Sequence, residues 1–131
     1  MEKRQSIEVR AAMLAASQAS ESKKAQELID QFVAQAQAAN LPSVALRART
    51  LDGHAVRTNL RGWYLRNDHS AAVSVQGRYY QLLVPAGLQT RLFGAQPQPS
   101  APPLVLGRGG KDGEAIDLKD ALARALAGQV A

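Results

Sequence analysis

The sequence predicts an α+β domain: an N-terminal helix packed on an antiparallel β-meander of five to seven strands, closed by a short C-terminal helix. Three observations carry this expectation. Apolar residues recur at helical spacing up to Asn40, the period switches to two from Ser43, and a second amphipathic stripe follows Asp117. At 131 residues the chain fits one domain. It contains 24 alanines but only three Ile, two Phe, three Tyr and one Trp, so the helices form readily while large core pieces are few.

Ala25, Leu28, Ile29, Phe32, Val33 and Ala36 form one helical stripe, and Asn40 followed by Pro42 supplies a left-handed cap and a stop. Ile7, Ala11 and Leu14 extend that stripe upstream, interrupted by Gln18, Glu21 and Ser22. The expectation is an exposed helical arm over residues 1–19, helical from about 4 to 17, which joins or breaks into a docked helix from about 22 to 39. Residues 20–131 form the domain proper.

Val44, Leu46 and Ala48 alternate with Ala45, Arg47 and Arg49, a half-buried strand with arginines outward. Asp52-Gly53 is the strongest hairpin signal, and Val56, Thr58 and Leu60 return against Arg57 and Asn59. Gly62 interrupts the alternation before Trp63-Tyr64-Leu65, which predicts a bulge or bend. Asn67 to Ser70 and Gln76-Gly77 are turns around a strand with Val73 and Val75, and Tyr79 to Val84 is the next strand. Leu88 to Phe93 reads equally as a helical turn or a short strand. Residues 96–103, with four of the six prolines, predict an extended connector. Leu104 to Leu106 and Glu114 to Ile116 are short strands around the Gly107–Gly113 loop, and Asp117 caps a final helix bearing Leu118, Leu122, Ala125 and Leu126.

Charge gives the functional signal. The net charge of +5 arises in the middle of the chain, where Arg47, Arg49, Arg57, Arg61, Arg66, Arg78 and Arg91 face only Asp52 and Asp68. A concentrated patch of this kind recruits anionic partners. The alternation places Arg47, Arg49, Arg57 and Arg66 on one sheet face with Tyr64 and Tyr79, while Trp63 and Tyr80 anchor the core face. Guanidinium forks suit phosphate and planar rings suit unpaired bases, so the partner expected is RNA or DNA. The competing expectation is protein interaction or self-association through residues 6–19, with the arginines merely solvating a wet sheet face.

No enzyme is expected. The Gly107–Gly113 loop lacks the Gly-Lys-Ser/Thr of a phosphate-binding loop and reads as a flexible connection rather than an anion nest. His54 and His69 lie beside Asp52 and Asp68 in turns, and nothing in the sequence joins them into a metal or acid–base site. No cofactor is implied. The absence of cysteine removes disulfides and thiolate sites, no apolar run reaches a membrane span, and the expected address is cytoplasmic.

The segments LRGWYLR (60–66), GRYYQLLVPAGL (77–88) and PPLVLGRGGKDGE (102–114) together resemble small uncharacterised cytosolic proteins of high-GC actinobacteria. The resemblance covers about two thirds of the chain, from the docked helix onward, and implies a bacterial origin without an activity.

Overall fold

In a computed structural model, residues 2–107 and 115–130 are described, with side chains from residue 6. One uninterrupted helix, α1 (Glu2–Ala38), opens the chain. Gln18, Glu21 and Ser22 therefore interrupt the apolar stripe but not the helix, since helix formers on either side carry it through. Asn40 closes it at φ 53°, the left-handed cap expected.

Five strands follow: β1 (Val44–Thr50), β2 (Ala55–Tyr64), β3 (Ala71–Ser74), β4 (Tyr79–Gln81) and β5 (Leu83–Val84), in the spatial order β4-β3-β2-β1-β5. All neighbours are antiparallel except β1 and β5, which run parallel. The two edge strands are consecutive: only Leu82 separates them. Its N–H donates to the Ser70 carbonyl on the β3 side, and its carbonyl accepts from the Arg49 N–H on the β1 side, at 2.9 and 2.7 Å. The meander therefore rolls up until its edges meet, the arrangement that removes sticky sheet margins.

Rolling gives the sheet an inside and an outside, and side-chain parity sorts the core between them. Leu46, Ala48, Val56, Ala72, Tyr80 and Leu82 fill the inside. Trp63, Leu65, Ala71, Val73 and Tyr79 point outward and are covered by Ala25, Ile29, Phe32 and Ala36 of α1 and by α3 (Leu118–Leu126). Phe32 meets Trp63 edge-on, ring centres 5.4 Å apart, and the Trp63 indole donates to the Pro42 carbonyl.

Gly62 does not flip the alternation, which runs through it unchanged. It is glycine because β3 lies so close that a Cβ would sit 2.0 Å from the Val73 carbonyl oxygen. The irregularity lies earlier, where Thr58 to Leu60 of β2 bow out opposite the step from Ala45 to Arg47, and the Thr58 hydroxyl donates to the Leu46 carbonyl in the gap.

Leu88–Phe93 forms the short helix α2, resolving the ambiguity of that segment, and none of its residues is buried. The proline-rich stretch has no regular structure but is tied down: the Ser100 N–H donates to the Tyr79 carbonyl, and Pro102 is buried. Two short strands, β6 (Val105–Leu106) and β7 (Ile116–Asp117), pair as expected and lead into α3. Asp117 occupies the N-cap position, without a side-chain capping bond. The loop residues Arg108 to Gly113, and Glu114 of the expected partner strand, lie outside the described residues.

Candidate nucleic-acid interface

Arg47 and Arg49 on β1 and Arg57 and Arg61 on β2 share the outward parity of Trp63, but they lie at the end of the strands that the helices leave uncovered. All four are exposed. Arg47 is directly opposite Arg57 in the ladder, Arg49 faces Ala55, and Ala45 faces Arg61. Arg57 donates through Nη2 to the Leu92 carbonyl, and Arg61 through Nη2 to the Ser43 carbonyl, each at 2.9 Å. Among the described residues none of the four forms an ion pair, and Arg47 and Arg49 have no side-chain partner. A guanidinium carries five N–H donors, so anchoring one of them fixes the fork and leaves the rest free to bind an anion.

Three other members of the predicted face fall elsewhere. Tyr79 is buried, only 4% exposed, beneath α1 and the outward core. Burial raises its hydroxyl above the ordinary tyrosine value, only partly offset by Arg66. The error at Tyr79 was one of coverage: it keeps the outward parity of Arg47 and Arg57, but the helices cover that face there, and Trp63, expected beside Tyr80 on one core face, lies on this outer face instead. Tyr64 is half-buried on the inner side. Its hydroxyl accepts the Arg47 N–H at 2.8 Å and its ring stacks on His69, centres 3.8 Å apart at 7°. Tyr79 therefore offers no face to a base, and Tyr64 has one face taken by His69. Arg66 is also half-buried, lying against Gly107 with Nε 3.8 Å from Asp68. It belongs to the turn before β3, not to the arginine strip.

Sequence reasoning missed the exposed residue that adjoins the strip. Phe93 ends α2 and is 74% exposed. Its neighbours on either side both touch Arg57: Leu92 through the carbonyl bond, and Gly94 where a Cβ would come within 2.9 Å of Arg57 Cγ. Gly94 sits at φ 82°, a conformation that permits this approach. Ala95 then donates to the Arg57 carbonyl, covering the stretch of β2 that β3 does not reach. The signal in the sequence was the Leu-Phe-Gly triplet ahead of the prolines, too short to reveal its face.

The turn histidines stay apart in role. His54 Nε2 lies 3.7 Å from Asp52 in the β1–β2 loop, where the Thr50 hydroxyl, more than His54, holds the Asp52 carboxyl below its usual range. At Asp68, burial raises the carboxyl, but the Ser70 hydroxyl and N–H, together with Arg66, outweigh it and lower the value. Among the described residues no three His, Cys, Asp or Glu side chains gather as a metal site would require. A cleft of about 820 Å³ between the Arg66 turn and α3 balances Arg66 and Arg124 against Asp68, Asp117 and Asp120. No described helix is long and apolar enough to cross a membrane.

No family model matches this chain, and neither does any curated protein or solved structure.

Proposed function

We propose that this protein is a non-enzymatic module that binds the phosphate backbone of RNA or DNA along the outer strip formed by Arg47, Arg49, Arg57 and Arg61. The observation that supports this most is that four exposed arginines lie on two neighbouring strands with no carboxylate paired to them among the described residues. Two like charges set directly opposite in a ladder destabilise it, and an anionic partner relieves that repulsion. Anchoring of Arg57 and Arg61 by backbone carbonyls reduces the ordering that binding would otherwise demand. The strip replaces the mixed Arg/Tyr face expected from the sequence: Tyr64, Tyr79 and Arg66 have no part in it.

The test is affinity for labelled RNA and DNA across a salt series. Four phosphate contacts with a single strand give a log–log slope of about −3, so affinity falls roughly fiftyfold between 50 and 200 mM salt. The paired changes Arg47→Glu and Arg49→Glu, which break no side-chain bond, lower affinity more than tenfold at low salt and flatten the slope. Absence of binding by the unaltered protein at 50 mM salt rejects the reading.

A second reading has its own support. Ile7, Val9, Met13 and Leu14 are all more than half exposed on α1, and residues 11–20 carry no charge. A helix apolar on several sides is normally covered. In this reading the 6–19 arm pairs with the arm of a second copy. Concentration-dependent mass in light scattering, lost on deleting residues 1–19, supports it; a monomer at all concentrations rejects it.

A further inference from the structure

We infer that the nucleic acid taken by the arginine strip is single-stranded, and that Phe93 is the platform on which one of its bases stacks. The inference rests on the proposed reading of the strip and adds to it the form of the ligand. All six aromatic side chains are accounted for. Phe32, Trp63, Tyr79 and Tyr80 are buried, and Tyr64 is half-buried with a face against His69. Phe93 alone presents an open ring, and it does so beside an arginine of the strip rather than at a remote site.

Its placement is built, not incidental. Arg57 clamps the end of α2 through the Leu92 carbonyl, and Gly94 and Ala95 seat the following turn against the Arg57 backbone. These contacts hold the residue between Leu92 and Gly94 next to Arg57, which is the ladder partner of Arg47. A duplex hides its base faces within the stack, so a ring reaches one only at the cost of unstacking a step, whereas an unpaired base offers its whole face to a ring next to phosphate-binding arginines.

The experiment compares a fluorescein-labelled 12-nucleotide single strand with a duplex of equal length, by anisotropy at 50 mM salt. The unaltered protein is expected to prefer the single strand. Phe93→Ala lowers single-strand affinity roughly ten- to a hundredfold and leaves the duplex unchanged. Phe93→Trp restores binding, and its added emission is quenched by the single strand but not by the duplex. Since Phe93 is exposed, a thermal melt verifies that each variant remains folded. If Phe93→Ala binds both forms as before while Arg47→Glu with Arg49→Glu abolishes binding, the stacking inference falls and the arginine reading stands. Equal losses on both forms, or a Phe93-dependent affinity for anionic vesicles alone, also overturn it. If the unaltered protein binds neither nucleic acid, both fall.

Discussion

Reversing the charge at Arg47 separates stability from binding. In the free protein Arg47 and Arg57 are directly opposite in the β1–β2 ladder, and neither is paired with a carboxylate among the described residues, so their like charges repel. Arg47→Glu turns that repulsion into attraction. Cross-strand pairs of this kind contribute about 0.2–1 kcal/mol, and the change removes one unfavourable pair while creating a favourable one. Solvent screening at this exposed site keeps the gain to about 0.5–1 kcal/mol. For a chain of this size that raises the melting temperature by roughly 2–5 °C. Calorimetry at 20 mM salt reads the shift, and at 0.5 M salt most of it disappears. Arg49→Glu is the control, because it faces Ala55 and gains less. The same Arg47 variant binds nucleic acid more weakly, so it is firmer as a fold and poorer as a binder. A lower melting temperature for Arg47→Glu than for the unaltered protein refutes the argument, because the two guanidiniums would then not be in mutual repulsion.

Further outcomes follow from particular contacts. Gly62→Ala forces a methyl into the Val73 carbonyl and destabilises the domain by about 2–4 kcal/mol, read by urea denaturation. Tyr79 ionises at a higher pH folded than unfolded, so the fold binds the proton more tightly. Its contribution is complete below the ordinary value of 10.0 and is lost as pH rises towards the raised folded value. Denaturation midpoints from pH 8 to 11.5 show that decline, and Tyr79→Phe flattens it. Deleting residues 1–19 leaves the melting temperature within a few degrees, since side chains 6–20 are all exposed; a large loss would mean the arm supports the core.

Local periodicity made much of this architecture legible. The docked stripe on α1, the Asp52-Gly53 hairpin, the Gln76-Gly77 turn and the final helix each depend on neighbours within a few residues. Closure of the sheet does not. Tyr79–Gln81 pairs with β3 through the local Gln76-Gly77 hairpin, but the pairing of Leu83–Val84 with Arg49 and Thr50 of β1 joins distant parts of the chain, and no alternation encodes it. Closure is also why the face assignment failed at Tyr79. A flat sheet with one wet side makes every second residue exposed, whereas a rolled sheet under two helices buries both parities at once. The arginines at 47, 49 and 57 were placed outward correctly because they lie at the uncovered end. Arg66 was not, because the turn after β2 carries it towards Gly107. Phe93 escaped notice because a six-residue helix has no periodicity from which to read a face.

Leu82 has a consequence for how this chain survives while it is being made. One residue acts as a zip fastener, with its amide bonded on the β3 side of the sheet and its carbonyl on the β1 side. Until that unit is in place, strands rich in Val, Leu and Tyr present open borders to other nascent chains. Once it locks, recruitment of a foreign strand requires undoing the fastener from both sides. Proline at this position would delete the amide and leave the border exposed, so the expected product of Leu82→Pro is insoluble polymer rather than a quietly unfolded monomer.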